Sequence, residues 1–327
     1  MRLASPTPLE RLGRLSRNLG IDLFVKRDDL FAVSGGGNKA RKLQYMVRDA
    51  EQKGCDALVT TGGTQSNQAR VAAILAASKG WRCELVLHGD PEELRHPSGN
   101  LLLMTLAGAS VTIVPMDSVG EQLDHAVERL SSEGRNPMLL PVRGYCQAGG
   151  LAYVNAVQEL LEQCSGSGWR PDYILLASGT GTTQSGLLAG LDRHGVPAKV
   201  IGISISRPNP RGAAEVEASY TRLAEHLGLA ADIGKVHVRD EWTRGGYQRH
   251  SAEDFETIAA VAKTEGLYLD PTYTAKAFTA LLQMARNGEI ERGSRVLFWH
   301  TGGLLNLLSS MPLERGAASE LPADQAI

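Results

Sequence analysis

The sequence predicts an α/β protein whose parallel sheets are covered by helices on both faces. Short apolar strands alternate with amphipathic helices along most of the chain, and strands joined through helices run parallel. The 327 residues, 43% of them apolar and 21% charged, suffice for one large domain or two unequal ones, and two are expected. No repeat or low-complexity tract interrupts the alternation.

The first element with clear boundaries follows the glycines of SGGGNKARKL, residues 34–43. Asn38 suits an N-cap and Gly54 a C-terminal stop. Between them Leu43, Met46, Val47 and Ala50 recur at the spacing that lines one helical face. At about 100° per residue, Lys39 lies roughly 30° from the centre of that stripe and Lys42 about 90° away, at its edge. An ammonium aimed into apolar packing is costly unless it is paired or neutral. Lys39 therefore reads either as an amine with a depressed pKa or as a lysine whose stem follows the surface while its head reaches water.

Downstream, DALVTT (56–61) leads into a helix near 67–79, CELVLHG (83–89) into one near 98–107, and SVTIVPM (110–116) into one near 119–133. MLLPVRG (138–144) precedes a helix near 149–163, and YILLAS (173–178) one near 184–193. KVIGISIS (199–206) is followed by helices near 212–227, 252–265 and 273–287, and RVLFWHT (295–301) is the last clear strand. Each strand is a short aliphatic or β-branched run, and each helix carries apolar residues at helical spacing. GSGWRPD (166–172) is a linker or a loop, and the end, ERGAASELPADQAI, reads as frayed.

Composition excludes several function classes. A net charge of -2 with both signs spread along the chain gives no reason to expect nucleic acid or an anionic membrane as partner. Cys55, Cys83, Cys146 and Cys164 are far apart and form no CxxC pair, so neither a metal site nor a disulfide framework is expected. No apolar run approaches the ~20 residues that span a bilayer, and MRLASPTPLERL lacks the apolar core of a signal peptide, so a cytoplasmic protein is expected.

Open parallel sheets bind ligands where strands end and helices begin. In TTGGTQSNQAR (60–70), glycines and small polar residues open a helix whose free amides suit a carboxylate, although Ser66 or Asn67 could be simple caps. In ASGTGTTQSGLLAGL (177–191), Gly179 and Gly181 admit close approach of backbone to a ligand. Ser178, Thr180, Thr182 and Thr183 add hydroxyls there, and the whole turn suits a phosphate. It has no GK[ST], and Gln184 stands where a dinucleotide turn needs its third glycine. WHTGG (299–303) is a weaker third turn. A buried lysine at a helix start, a carboxylate turn and a phosphate turn together fit pyridoxal phosphate chemistry, in which an amine holds the aldehyde and the turn anchors the phosphate.

GGGNKARKLQY, GGTQSNQAR, SGTGTTQSG, LDPTYTAK and LFWHTGG, in this order, resemble the 1-aminocyclopropane-1-carboxylate deaminase and D-cysteine desulfhydrase group of pyridoxal phosphate enzymes. The likeness runs from about residue 6 to residue 308. It implies fold type II: two open, twisted, mostly parallel sheets flanked by helices. A smaller domain (43–152) would be inserted in a larger one (1–42 and 153–327), with the cofactor in the cleft and a homodimer as the assembly. It makes Lys39 the Schiff-base lysine and proton carrier. Asn67 would bind the cofactor's ring hydroxyl, and Ser66 with Gln68 the carboxylate of a small amino-acid substrate. Asn38 and residues 178–183 fall on the phosphate side, and Tyr247 and Tyr273 match the two active-site tyrosines.

By the same resemblance, deaminases carry glutamate where Thr274 stands, beside the pyridine nitrogen, and leucine where Thr301 stands. Both threonines match desulfhydrases. A glutamate would keep the ring nitrogen protonated, whereas a hydroxyl leaves it neutral, which suits prompt loss of a β leaving group such as thiolate. The expected reaction is α,β-elimination from D-cysteine to pyruvate, sulfide and ammonia. Alternatives are L-cysteate, should Arg249 or His250 face the site, the cyclopropane deaminase reaction, and a non-catalytic binder of a phosphorylated ligand.

Overall fold

The computed structural model describes residues 6–33, 35–141 and 146–310. Two sheets organise it. The larger has six strands in the order β1 (Leu9–Arg11), β2 (Asp22–Lys26), β10 (Arg295–Trp299), β7 (Tyr173–Ser178), β8 (Lys199–Ser204) and β9 (His237–Arg239). Only β1 runs antiparallel to its neighbour. The smaller has four parallel strands in the order β5 (Ser110–Val114), β4 (Arg82–His88), β3 (Ala57–Gly63) and β6 (Pro137–Leu139). The α/β class and the parallel sheets thus stand as expected.

Helices follow strands as the alternation requires. After β2 comes α2 (Asn38–Gln52), after β3 α3 (Asn67–Lys79), after β4 α4 (Gly99–Leu106), and after β5 α5 (Val119–Ser132). Next come α6 (Gln147–Ser165), α7 (Thr182–Arg193), α8 (Arg211–His226), α9 (Ala252–Glu265) and α10 (Thr274–Arg286). Five short elements lack a readable period: α1 (Gly13–Leu19), α11 (Leu304–Ser310), β1, β2 and β9. The strand expected over 138–144 ends at Leu139, and residues 142–144 lie outside the described residues, as does the expected frayed end. GSGWRPD is a packed loop: the Trp169 ring lies 4.5 Å from that of Phe24, and its Nε1 donates to Asp22 at 2.9 Å.

The glycines before α2 serve backbone packing. A Cβ on Gly36 would stand 1.9 Å from the Asp29 carbonyl oxygen, one on Gly37 2.9 Å from that of Thr301, and one on Gly302 2.6 Å from the Gly37 Cα. Gly37 and the Thr301–Gly302 segment therefore lie main chain against main chain, and Gly36 lies against the Asp29 carbonyl, which only glycine permits. Gly37, at φ +95°, precedes the first helical turn, and the Asn38 N–H donates to Thr301 O at 2.9 Å. Asn38 is therefore inside the helix and not its cap.

Two residues beyond Lys39, Arg41 locks α2 from the other side. Its guanidinium donates to buried Asp28 at 2.7 Å and to Glu159 of α6 at 2.8 Å, and Lys26 pairs with the same Glu159. Asp28 also accepts from Thr7 Oγ1 (2.9 Å), Tyr153 OH (2.7 Å) and Trp299 Nε1 (2.9 Å). Burial pushes the Asp28 carboxyl up, but Arg41 and these donors outweigh it and hold the group below its usual range. The start of α2 is thereby pinned to α6 and to the ends of β2 and β10.

Candidate active site

The ends of β3, β4, β7, β8 and β10 and the start of α2 surround a cavity of about 260 Å³. Lys39 lines it, with Lys42 one turn further along α2. Both line it, but against the order expected from the stripe Lys42 is the more deeply buried. Lys42 is 3% exposed, because α6 packs on α2 there, with the Cβ position of Gly149 3.3 Å from the Lys42 stem. Lys39 opens onto the cavity. A single apolar stripe could not report that α2 is covered on two sides. Burial pushes the Lys39 amine below its usual value, with Arg207 adding like-charge repulsion, and Lys42 falls further, from burial and then from Lys39.

At the end of β3 the chain turns through Gly62 and Gly63 into α3. Ser66 caps the helix, its Oγ accepting from the Ala69 N–H at 3.2 Å, and it also lines the cavity. A Cβ on Gly62 would stand 2.4 Å from that Oγ. Gln68 lines the cavity too, but its amide nitrogen donates to Pro141 O at 3.0 Å. What the turn offers an anion is therefore the Ser66 hydroxyl and the first N–H groups of α3, which have no helical acceptor.

Opposite, β7 ends in Ser178 and the chain passes through Gly179, Thr180 and Gly181 into α7. Gly181 is left-handed at φ +82°. Ser178, Gly179, Thr180, Gly181 and Thr183 line the cavity, and Asn38 Nδ2 donates to Thr183 Oγ1 at 3.2 Å, joining the lysine helix to this turn. Thr182 does not line it, since its methyl faces α6 at Gly149.

Tyr247 and Tyr273 meet over the cavity with their hydroxyl oxygens 2.6 Å apart. Burial pushes both phenols up, Tyr273 well above its ordinary range, so both are neutral near pH 7. Buried Lys276 organises the loops beneath them, donating to the carbonyls of Ile205 (3.0 Å), Thr243 (3.0 Å) and Gly246 (3.2 Å). Thr301 lines the cavity; Thr274 does not, because its hydroxyl donates to Asp270 at 2.8 Å and accepts from the Asp270 N–H at 2.7 Å.

The geometry also brings in residues that the sequence reading missed. Lys42 was legible only as the next turn of the lysine helix. His88 closes β4 as the register partner of Gly63, and Arg207 follows β8, donating to Gly179 O at 2.7 Å. Arg249 and His250 do not line the cavity; His250 Nδ1 lies 3.2 Å from Pro271 O. Among the described residues no aspartate or glutamate lines it, and no cluster fit to hold a metal ion occurs. The wall is thus cationic and rich in amide and hydroxyl donors, with an amine that burial keeps from protonating easily. This fits a ligand with a phosphate at one end and an aldehyde at the other.

Comparisons with known proteins agree with that chemistry. Residues 1–302 match the family model described as pyridoxal-phosphate dependent enzyme. A putative 1-aminocyclopropane-1-carboxylate deaminase of Pyrococcus abyssi (strain GE5 / Orsay) is 37% identical over 301 residues, 91% of this chain and 89% of that protein. A D-cysteine desulfhydrase of Klebsiella pneumoniae (strain 342) is 34% identical over 314 residues, 95% of each chain. A solved 1-aminocyclopropane-1-carboxylate deaminase homologue superposes with a TM-score of 0.85 at 35% identity, covering 94% of both chains. An L-serine ammonia-lyase from Rhizomucor miehei, at 15% identity and a TM-score of 0.68 over 92% of this chain and 95% of its own, shares the fold.

Proposed function

We propose, since this chain belongs to the family of pyridoxal-phosphate dependent enzymes, that it catalyses α,β-elimination from a small amino acid bearing a β leaving group, with D-cysteine as substrate. The observation that carries this reading is a cavity wall with no carboxylate among the described residues, at which Thr301 faces in. With no acid to protonate the ring nitrogen, the site suits prompt departure of a β substituent, giving pyruvate, sulfide and ammonia. The Klebsiella desulfhydrase relative supports the substrate.

Pyridoxal phosphate, when bound, supplies an aldehyde that condenses with amines and a ring that draws electrons from the substrate Cα. The turn from Ser178 to Thr183, with Asn38 and the Lys42 amine, would hold its phosphate. Lys39 would carry the aldehyde end, and its amine, kept from protonation by burial, then takes the Cα proton. The Ser66 hydroxyl and the first amides of α3 hold the substrate carboxylate. Tyr273, a neutral phenol backed by Tyr247, is a proton donor for a departing thiolate.

Residues 43–152 form, on this reading, a smaller domain inserted between 1–42 and 153–327, a division supported by the separate four-stranded sheet. A homodimer and a cytoplasmic location complete the proposal, and sedimentation tests the former. Among the described residues no helix is long and apolar enough to cross a membrane.

Borohydride treatment of the yellow protein should fix the cofactor to Lys39, and Lys39→Ala should lose both colour and turnover. Incubation with D-cysteine, L-cysteine, L-cysteate, D-serine and 1-aminocyclopropane-1-carboxylate should give pyruvate and sulfide most rapidly from D-cysteine. Dominant formation of 2-oxobutyrate from the cyclopropane acid would overturn the assignment.

A further inference from the structure

Behind the cavity wall, Arg70 of α3 is 1% exposed, and among the described residues no carboxylate pairs with it. Its Nε has no hydrogen-bond partner, an unusual state for a buried guanidinium. Burial pushes its pKa down to about 10, with no opposing charge. The remaining nitrogens are committed. Nη2 donates to Gly36 O at 2.8 Å, just ahead of the lysine helix, and Nη1 donates to Asn67 Oδ1 (3.2 Å) and Asn100 Oδ1 (3.1 Å).

These contacts determine which way the Asn67 amide points. A guanidinium only donates, so the atom of Asn67 facing Nη1 is its oxygen, and likewise for Asn100. Asn100 is thereby oriented with its Nδ2 toward Asn306 Oδ1 (2.8 Å), Gln65 O (3.0 Å) and the same Asn67 Oδ1 (3.2 Å), to all of which it donates. Two donors converge on the Asn67 carbonyl. Its NH2 is left for the cavity, which Asn67 lines.

We infer that Arg70 is a positioning residue that acts through Asn67, presenting an amide donor and an unbalanced buried cation to the ring oxygen of the cofactor, so that this oxygen is bound as an anion. The inference rests on the pyridoxal phosphate reading of the site. An acceptor facing the cavity would call for a protonated hydroxyl; a donor backed by a cation calls for the deprotonated one. The same guanidinium holds Gly36, so the groups addressing the ring oxygen and the aldehyde share one anchor.

The test compares binding of pyridoxal 5'-phosphate and of its 3-deoxy analogue, which lacks that oxygen, to cofactor-resolved protein by absorbance and fluorescence titration. Wild type should prefer the natural cofactor by about tenfold to a hundredfold, as for a hydrogen bond to a charged group. Arg70→Met should reduce this preference at least fivefold while changing affinity for the analogue little. A merely structural role would weaken both ligands alike and leave the ratio intact, and that result refutes the inference. If circular dichroism shows that Arg70→Met does not fold, Asn100→Leu, which removes the second donor to Asn67, must lower the ratio, and an unchanged ratio again refutes it. Wild type that binds neither ligand would instead bring down the cofactor reading beneath it.

Discussion

Gly62→Ala isolates the carboxylate turn from the rest of the site. The backbone at Gly62 lies outside the left-handed region, so alanine is compatible with it and the perturbation is a single methyl group. That methyl would stand 2.5 Å from the Ser66 Cβ and 2.4 Å from its Oγ. Non-bonded carbons approach to roughly 3.5 Å, so the Ser66 side chain must retreat by about 1 Å, carrying its hydroxyl out of line. Two losses follow. The cap to the Ala69 N–H weakens, which costs ~1 kcal/mol of stability. The hydrogen bond to a substrate carboxylate is also lost, which at about 1.5–3 kcal/mol corresponds to a rise in KM of about tenfold to a hundredfold. Cofactor affinity should hold, because the phosphate turn lies across the cavity. Steady-state kinetics with D-cysteine and a cofactor titration read the two effects separately. A double-mutant cycle with Ser66→Ala sharpens the test: if Gly62→Ala acts through Ser66, adding it to Ser66→Ala should raise KM little further. Full additivity, or loss of cofactor with KM unchanged, would refute the reasoning.

Tyr273→Phe removes the proposed proton donor and should lower kcat by ~10²-fold or more while leaving cofactor affinity intact, as single-turnover measurements would show. Asp28→Ala strips Arg41 of its buried partner and should cost about 3–5 kcal/mol in urea unfolding. Because the folded Asp28 carboxyl titrates below its unfolded value near 3.9, its stabilisation is complete above that pH and drains away as pH falls through the folded value. Wild type should therefore lose stability on acidification more steeply than Asp28→Ala. Arg207→Ala should slow turnover of L-cysteate more than that of D-cysteine if the guanidinium reaches the β substituent, and equal effects would assign it to the phosphate turn.

The parts of the site carried by local sequence were legible. YILLAS, the helix at 67–79 and the glycine turn at 179–181 each declare themselves within about ten residues, and the structure has them within two residues of their expected bounds. What stayed hidden depends on residues far apart in the chain. That Lys42 is the more deeply buried of the two lysines turns on α6, more than a hundred residues away, covering the other side of α2. Thr274 sits in a motif that points toward a ligand, yet its hydroxyl closes a ring with Asp270 four residues earlier, and only the loop's path reveals it. Arg70 reads as one more polar residue of an N-terminal turn until Asn100, Gly36 and Asn67 converge on it.

The glycines complete the argument about how the lysine is placed. Three glycines before a helix invite the reading of an anion-binding loop, but here Gly37 brings the chain against residues 301–302 and Gly36 against the Asp29 carbonyl, with no room for a side chain at either. This close packing fixes where the first turn of α2, and with it Lys39, meets the cavity. Burial lowers the Lys39 amine first, and Arg207, which lines the same cavity, adds its opposition to a second positive charge. Burial with one neighbouring cation thus keeps the Lys39 amine from protonating easily, and on the proposed reading the same cation favours an anionic cofactor.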